Sequence, residues 1–158
     1  MPYTGIFVPG LVDVQNTPTG ASETRLRYHL YNNLSRPLSL SQELDSKVNY
    51  IWAYNGQFPV AEIKNADYSA IKEASGIAAF CLTYPDKTAI DAFVSDLKLG
   101  LPNAQITTYG YKSLIEVTST TDPKGLTTYY EDDSFQRLKY IKDQNGYIIK
   151  SYDCHYKP

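Results

Sequence analysis

Asp153, Cys154 and His155 place a carboxylate, a thiol and an imidazole on three consecutive residues, the types from which a nucleophile and its base are built. Successive side chains of a strand point to opposite faces, so Cys154 and His155 do not meet in regular β structure. The other histidine, His29, sits in strand-type sequence ahead of a turn, where a structural or surface role is expected. Two histidines and two cysteines, Cys81 and Cys154, lack the paired close spacings of a zinc site. Glu131-Asp132-Asp133 is a contiguous acidic run and not the alternating oxygen ligands of a calcium loop, so it reads as a solvated turn. No Gly-x-Gly-x-x-Gly, Walker-type loop or Gly-x-Ser-x-Gly elbow occurs. The expectation is therefore no catalytic residue, no metal and no cofactor, although carboxylate pairs brought together by the fold stay open.

The chemistry that does stand out is aromatic. Fifteen tyrosines against one tryptophan and one methionine favour pleated, half-buried surfaces, where a ring packs across strands and its hydroxyl stays wet. Tyr50, Trp52 and Tyr54 alternate with small or aliphatic residues and so fall on one face of a strand. An exposed row of that kind can stack on sugar rings or grip a protein partner. It can equally be the inner face of a sheet, covered by Phe93 and Leu97 of a helix, and the helix's need for a surface favours this second role.

A chain of 158 residues fits a single domain. Its net charge of −2, with no basic run, gives no field that gathers phosphate backbones, so nucleic acid is not an expected partner. The longest apolar run, Gly76 to Leu82, is too short to span a bilayer, and Met1-Pro2-Tyr3-Thr4-Gly5 has neither the charged nor the apolar region of a signal peptide. Two cysteines in segments of different character leave open whether they pair and in which redox compartment the chain works.

Three regions follow from the periodicity. Residues 1–63 read as strands: breakers up to about residue 23, with Ile6 to Val8 or Leu11 to Val14 as edge strands, then a strand, a turn at Asn32-Asn33-Leu34-Ser35 and a return after Pro37. Tyr50 to Tyr54 and Gln57 to Ile63 flank Asn55-Gly56, the two positive-φ residues of a type I′ hairpin turn. Over 64–102 the period changes to about 3.6 and predicts two helices. Asn65 or Asp67 caps the first, which runs through Ser75 to a stop at Gly76. After the apolar stretch Ala78 to Leu82 the second starts near Asp86, carries the stripe Ile90, Phe93, Val94, Leu97 and Leu101, and ends at Gly100 and Pro102. Over 103–158 strand segments alternate with turns at Asp122-Pro123-Lys124-Gly125, Asp132 to Gln136 and Gln144-Asn145-Gly146.

Self-similarity links the outer regions. Tyr31-Asn32-Asn33-Leu34-Ser35-Arg36-Pro37-Leu38 and Asp132-Asp133-Ser134-Phe135-Gln136-Arg137-Leu138 share an Asx residue, a tight turn, and an arginine four positions on. These segments resemble the YD (tyrosine-aspartate) repeat of Rhs-type proteins, in which a tyrosine and an aspartate precede a turn closing with Gly-Arg-Leu. Thr121 to Tyr130 looks like the stretch leading into such a unit, and so does Asp143-Gln144-Asn145-Gly146 followed by Tyr152-Asp153 and then Tyr156. The likeness covers Arg27 to Ile63 and Leu114 to Tyr156. The chain departs from it at Asp132, where a tyrosine is usual, at Ser35 and Gln136, where the turn glycine is usual, and at Cys154. A non-glycine residue at positive φ costs on the order of 1 kcal/mol, which reshapes or weakens those turns. Asp122-Pro123-Lys124-Gly125-Leu126 is also similar to the element beside which Rhs shells cleave themselves. Thr127-Thr128 replace the glycines usual there, and an Asp-initiated turn explains the same residues.

The resemblance implies an extracellular or cell-surface location and hairpins winding into a continuous sheet, with tyrosines stacked along it and Asp and Arg tying its turns. The expected fold is α+β: an antiparallel hairpin sheet with a two-helix insert laid on one face. The expected function is that of a non-catalytic structural or interaction module of a YD-repeat surface or secreted protein. Carbohydrate or protein binding through exposed aromatics, and a remnant of a toxin-delivery shell with latent autoproteolysis, are the alternatives. Partners would be the rest of a longer repeat protein, another protein, a glycan, or a second copy joined by edge strands.

Overall fold

The computed structural model describes residues 7–15, 17–43, 45–73, 76–112 and 116–153. Among these residues ten strands form one sheet in which each pairs antiparallel with its chain neighbour. They are β1 (Leu11–Val14), β2 (Glu23–Tyr31), β3 (Pro37–Gln42), β4 (Val48–Ala53), β5 (Phe58–Lys64), β6 (Gln105–Lys112), β7 (Glu116–Thr121), β8 (Thr127–Asp132), β9 (Leu138–Lys142) and β10 (Ile148–Ser151). Hairpin turns make most of the connections, and such a meander forms wherever turn signals recur every ten residues or so.

Between β5 and β6 the described residues form α1 (Tyr68–Glu73), α2 (Ile77–Phe80) and α3 (Lys87–Gly100), three helical segments where the sequence periodicity predicts two. The third is the one the stripe anticipates. Asp86 caps it, accepting a hydrogen bond from the Ala89 amide at 2.8 Å, and Ile90, Val94 and Leu97 are its buried residues. The insert's first half differs from expectation: Gly76 stands at the start of α2 instead of stopping α1, and part of the apolar stretch Ala78 to Leu82 is helical. Ser75, the expected end of the first helix, lies outside the described residues, as do Ile6, Leu114, Cys154, His155 and Tyr156.

The register explains where the helices pack. Ile51 pairs with Ala61, Ala61 with Thr108, and Ile63 with Ile106, so these side chains share one face across β4, β5 and β6. With Ile71, Ile77, Ile90, Val94 and Leu97 they form the buried cluster. A bulge between Ile51 and Trp52 adds Val60 to the same layer. Phe93 stacks on Phe80 with ring centroids 4.0 Å apart and closes its rim. The helices thus cover the aliphatic face of β4 and leave Tyr50 and Trp52 on the alternating positions, contrary to the expected packing of Phe93 and Leu97 on the aromatic row. An aliphatic face accepts a helix at close range, whereas a tyrosine hydroxyl sealed beneath one needs a partner.

Away from this centre the sheet is one layer thick. All four residues of β1 and all four of β10 are exposed, among them Leu11, Val12, Ile148 and Ile149.

Candidate functional site

Four of the hairpin turns are one structure repeated. At Asn32, Asp122, Asp133 and Asp143 the backbone amide donates to the carbonyl four residues on, at Arg36, Leu126, Arg137 and Tyr147, over 2.8–3.0 Å. The residue three positions on returns its amide to the Asx carbonyl in each case. That residue has positive φ: Ser35 at 60°, Gly125 at 88°, Gln136 at 59° and Gly146 at 85°. The Asx side chain completes the unit. Asn32 Oδ1 accepts from the Leu34 and Arg36 amides, Asp133 Oδ1 from Phe135 and Arg137, Asp143 Oδ1 from Asn145 and Tyr147, and Asp122 Oδ1 from Leu126. This is a type I turn closed by a bulge at a left-handed residue, and an Asx side chain suits it because it replaces a backbone acceptor. The Asp122 turn, read in the sequence as an Asp-initiated turn, is one of these units.

The arginines diverge. Arg137 donates through Nε and Nη2 to Asp133 Oδ2 at 2.8 and 2.5 Å, tying its own turn. That guanidinium, together with the Phe135 and Arg137 amides, holds the Asp133 carboxyl below its ordinary range. Arg36 faces a neutral asparagine and lies instead over the Trp52 ring, 5.7 Å from its centroid. Leu138 opens β9 opposite Asp132, the Tyr152 amide donates to Lys139 at 2.9 Å, and Asp153 is exposed just beyond it. Tyr31 donates its hydroxyl to the Pro9 carbonyl at 2.5 Å and stacks on Tyr28.

The expected row Tyr50, Trp52, Tyr54 is broken at its third member. Tyr54 has φ 54°, precedes Asn55 and Gly56 at 56° and 73°, and so extends the type I′ turn into a run of three left-handed residues. This swings its ring into the core, 5% exposed, where the hydroxyl donates to the Pro85 carbonyl at 2.7 Å. Tyr50 stays on the face away from the helices beside Glu62, its register partner, with the hydroxyl 3.4 Å from Glu62 Oε2. Tyr109, from β6, adjoins the same carboxylate. Burial and then the charge of Glu62 push Tyr50 up to about 12, and raise Tyr109 as well. Neither Glu62 nor Tyr109 stands out in the sequence. Alternation places each on a face, but only the pairing Glu62 to Thr107 and the meander order bring them beside Tyr50.

Trp52 donates its indole N–H to the Pro37 carbonyl at 2.9 Å and lines a groove of about 450 Å³ between the Asn32 turn and α1–α2. Cys81 lines the same groove, and burial pushes its thiol up. The acidic run is divided among three partners: Glu131 pairs with Lys142 at 2.5 Å, Asp132 with Glu116, and Asp133 with Arg137. Among the described residues no three His, Cys, Asp or Glu side chains converge as metal ligands. No helix among them is long and apolar enough to cross a membrane.

The Glu116–Asp132 pair yields a pH prediction. Partial desolvation, then the hydrogen bond and charge of Asp132, raise the Glu116 carboxyl, against the opposing pull of Lys112. A carboxyl raised in the folded state binds its proton more tightly there than in the unfolded chain. Its contribution is therefore present at acid pH and lost as pH rises through the folded value. Glu116→Gln keeps a donor toward Asp132 at every pH. Thermal denaturation should find this variant melting above the parent at pH 7, with the difference vanishing toward pH 4; equal shifts at both pH values would refute the pairing.

The chain matches no protein-family model and no curated protein.

Proposed function

We propose that this chain is a non-catalytic structural module of the YD-repeat type, a length of hairpin sheet in a surface or secreted protein that works by joining other β structure. The observation that carries the reading is the turn itself: four Asx turns with one hydrogen-bonding scheme, three of them following one another at Asp122, Asp133 and Asp143. A single-layer meander of such units buries little by itself, and repeat architectures gain their stability by stacking on neighbours. The exposed strands β1 and β10 fit that role, since each presents apolar side chains on the outermost position of the sheet. The Asp133–Arg137 tie and the Tyr28–Tyr31 stack are the contacts that the resemblance leads one to expect.

Sedimentation velocity over a wide concentration range tests it. Strand addition predicts association that grows with concentration and is strongly reduced by Ile149→Lys, a charge on an edge strand whose Ile149 is 63% exposed. A strict monomer at high concentration, or association indifferent to that charge, would count against the reading. A second reading, binding of a glycan or protein by an aromatic surface, rests on Tyr50, Glu62 and Tyr109, which the helices leave uncovered.

A further inference from the structure

We infer that the groove beside Trp52 is a binding site for a small amphiphilic anion, a molecule with an aliphatic body and one carboxylate end. Three features of the groove lead there. Its volume of about 450 Å³ lies within the span of small-molecule sites, roughly 300–1,000 Å³. Its walls are mainly carbon: Leu34 and Leu38 on the hairpin side, Ile77 and Leu82 on the helical side, with the indole of Trp52 between them. Its polar groups are all neutral or positive. Lys72 is the charged residue of the lining, with Asn33, Asn55 and Tyr68 as neutral polar members; among the described residues no carboxylate lines the groove.

The positive end is available. Lys72 is exposed and forms no ion pair among the described residues. The Arg36 guanidinium lies over the Trp52 ring outside the lining of the groove, and adds positive charge to its surroundings without being one of its walls. A carboxylate met by Lys72 is favoured over a neutral or cationic head of equal size. The site is also formed in advance. The bond to Pro37 fixes the indole, and Gly56 lies so close to the first turn that a Cβ there would sit 3.1 Å from Leu34 Cδ1, which closes the end between the two hairpin tips. A ligand therefore does not have to order the walls that hold it.

Trp52 is the chain's one tryptophan, so its emission reports the groove directly. Titration with decanoate, below its micellar range, should give a saturable change in that emission, and decyltrimethylammonium should bind about tenfold more weakly or not at all, by the charge preference of the Lys72 ammonium. Lys72→Gln, at an exposed helix position that folding does not depend on, should weaken decanoate about fivefold while leaving 1-decanol unchanged. Ala78→Phe, which places a ring in the groove from an exposed position, should abolish the response to both. No saturable response to decanoate, an equal response to the cationic surfactant, or decanoate affinity indifferent to both substitutions would overturn the assignment.

Discussion

Replacing Leu97 by alanine should cost about 2–5 kcal/mol of stability, the usual range for a leucine removed from a closed core. At about 2–4 °C per kcal/mol for a domain of this size, the midpoint of thermal unfolding falls by roughly 4–20 °C. Leu97 is fully buried, on the third turn of α3, against a cluster that includes Ile51, Ala61, Ile63 and Ile106 from three strands. Neighbouring segments cannot collapse into the space it leaves, because the sheet holds one wall and the paired rings of Phe80 and Phe93 hold another. The control lies two residues away. Leu99 is 84% exposed, and its alanine variant should stay within about 0.5 kcal/mol of the parent. The pair of melts separates a helix laid on the sheet from one that only borders it. Equal shifts for the two variants would mean that the stripe does not face the strands.

That stripe was legible in the sequence because five apolar residues repeat at helical spacing and an aspartate stands where a cap is needed. The hairpins were legible for the same kind of reason: Asn55-Gly56 and the Asp-x-x-Gly runs specify backbone angles within four residues, and local chemistry decides them. What did not show was which face of β4 the helix covers. Tyr50, Ile51, Trp52 and Ala53 are all acceptable core residues, and alternation divides them into two faces without ranking these. The ranking came from partners distant in sequence, as Ala61 and Ile63 brought Ile106 into the same layer. Tyr54 escaped the row for a more local cause. The left-handed conformation that Asn55 and Gly56 adopt readily also took in the residue before them, and a period-2 reading of β4 cannot foresee that.

The same separation of local from distant causes explains the candidate sites. Each Asx turn could be found from its own five residues, even where serine or glutamine stood in for glycine. The Tyr50–Glu62–Tyr109 cluster spans β4 to β6 across the whole helical insert, and it exists only because β5 pairs with both strands. The groove at Trp52 needs a hairpin tip and two short helices to meet, and no spacing in the sequence encodes that meeting.

The repeated turn makes a prediction whose sign reverses between its copies. Gly125 and Gly146 hold φ of 88° and 85° with open space where a Cβ would lie, so alanine there introduces backbone strain and no clash. Each substitution should cost about 0.5–1 kcal/mol net, strain of about 1–2 less the roughly 0.4–1 by which alanine restricts the unfolded chain, and the two together about 1–2, since the β7–β8 and β9–β10 turns close different hairpins and share no hydrogen-bond partner. Ser35 and Gln136 occupy the same position at φ 60° and 59° and already bear that strain. Glycine at either relieves it, but also enlarges the freedom of the unfolded chain by about 0.4–1 kcal/mol, so the net gain is about 0.5–1 kcal/mol each. Chemical denaturation of the two double variants, Gly125→Ala with Gly146→Ala and Ser35→Gly with Gln136→Gly, should move the midpoint in opposite directions at unchanged slope. If the glycine pair destabilises as the alanine pair does, the left-handed residue is not what the four turns have in common, and the case for one recurring unit loses its physical basis.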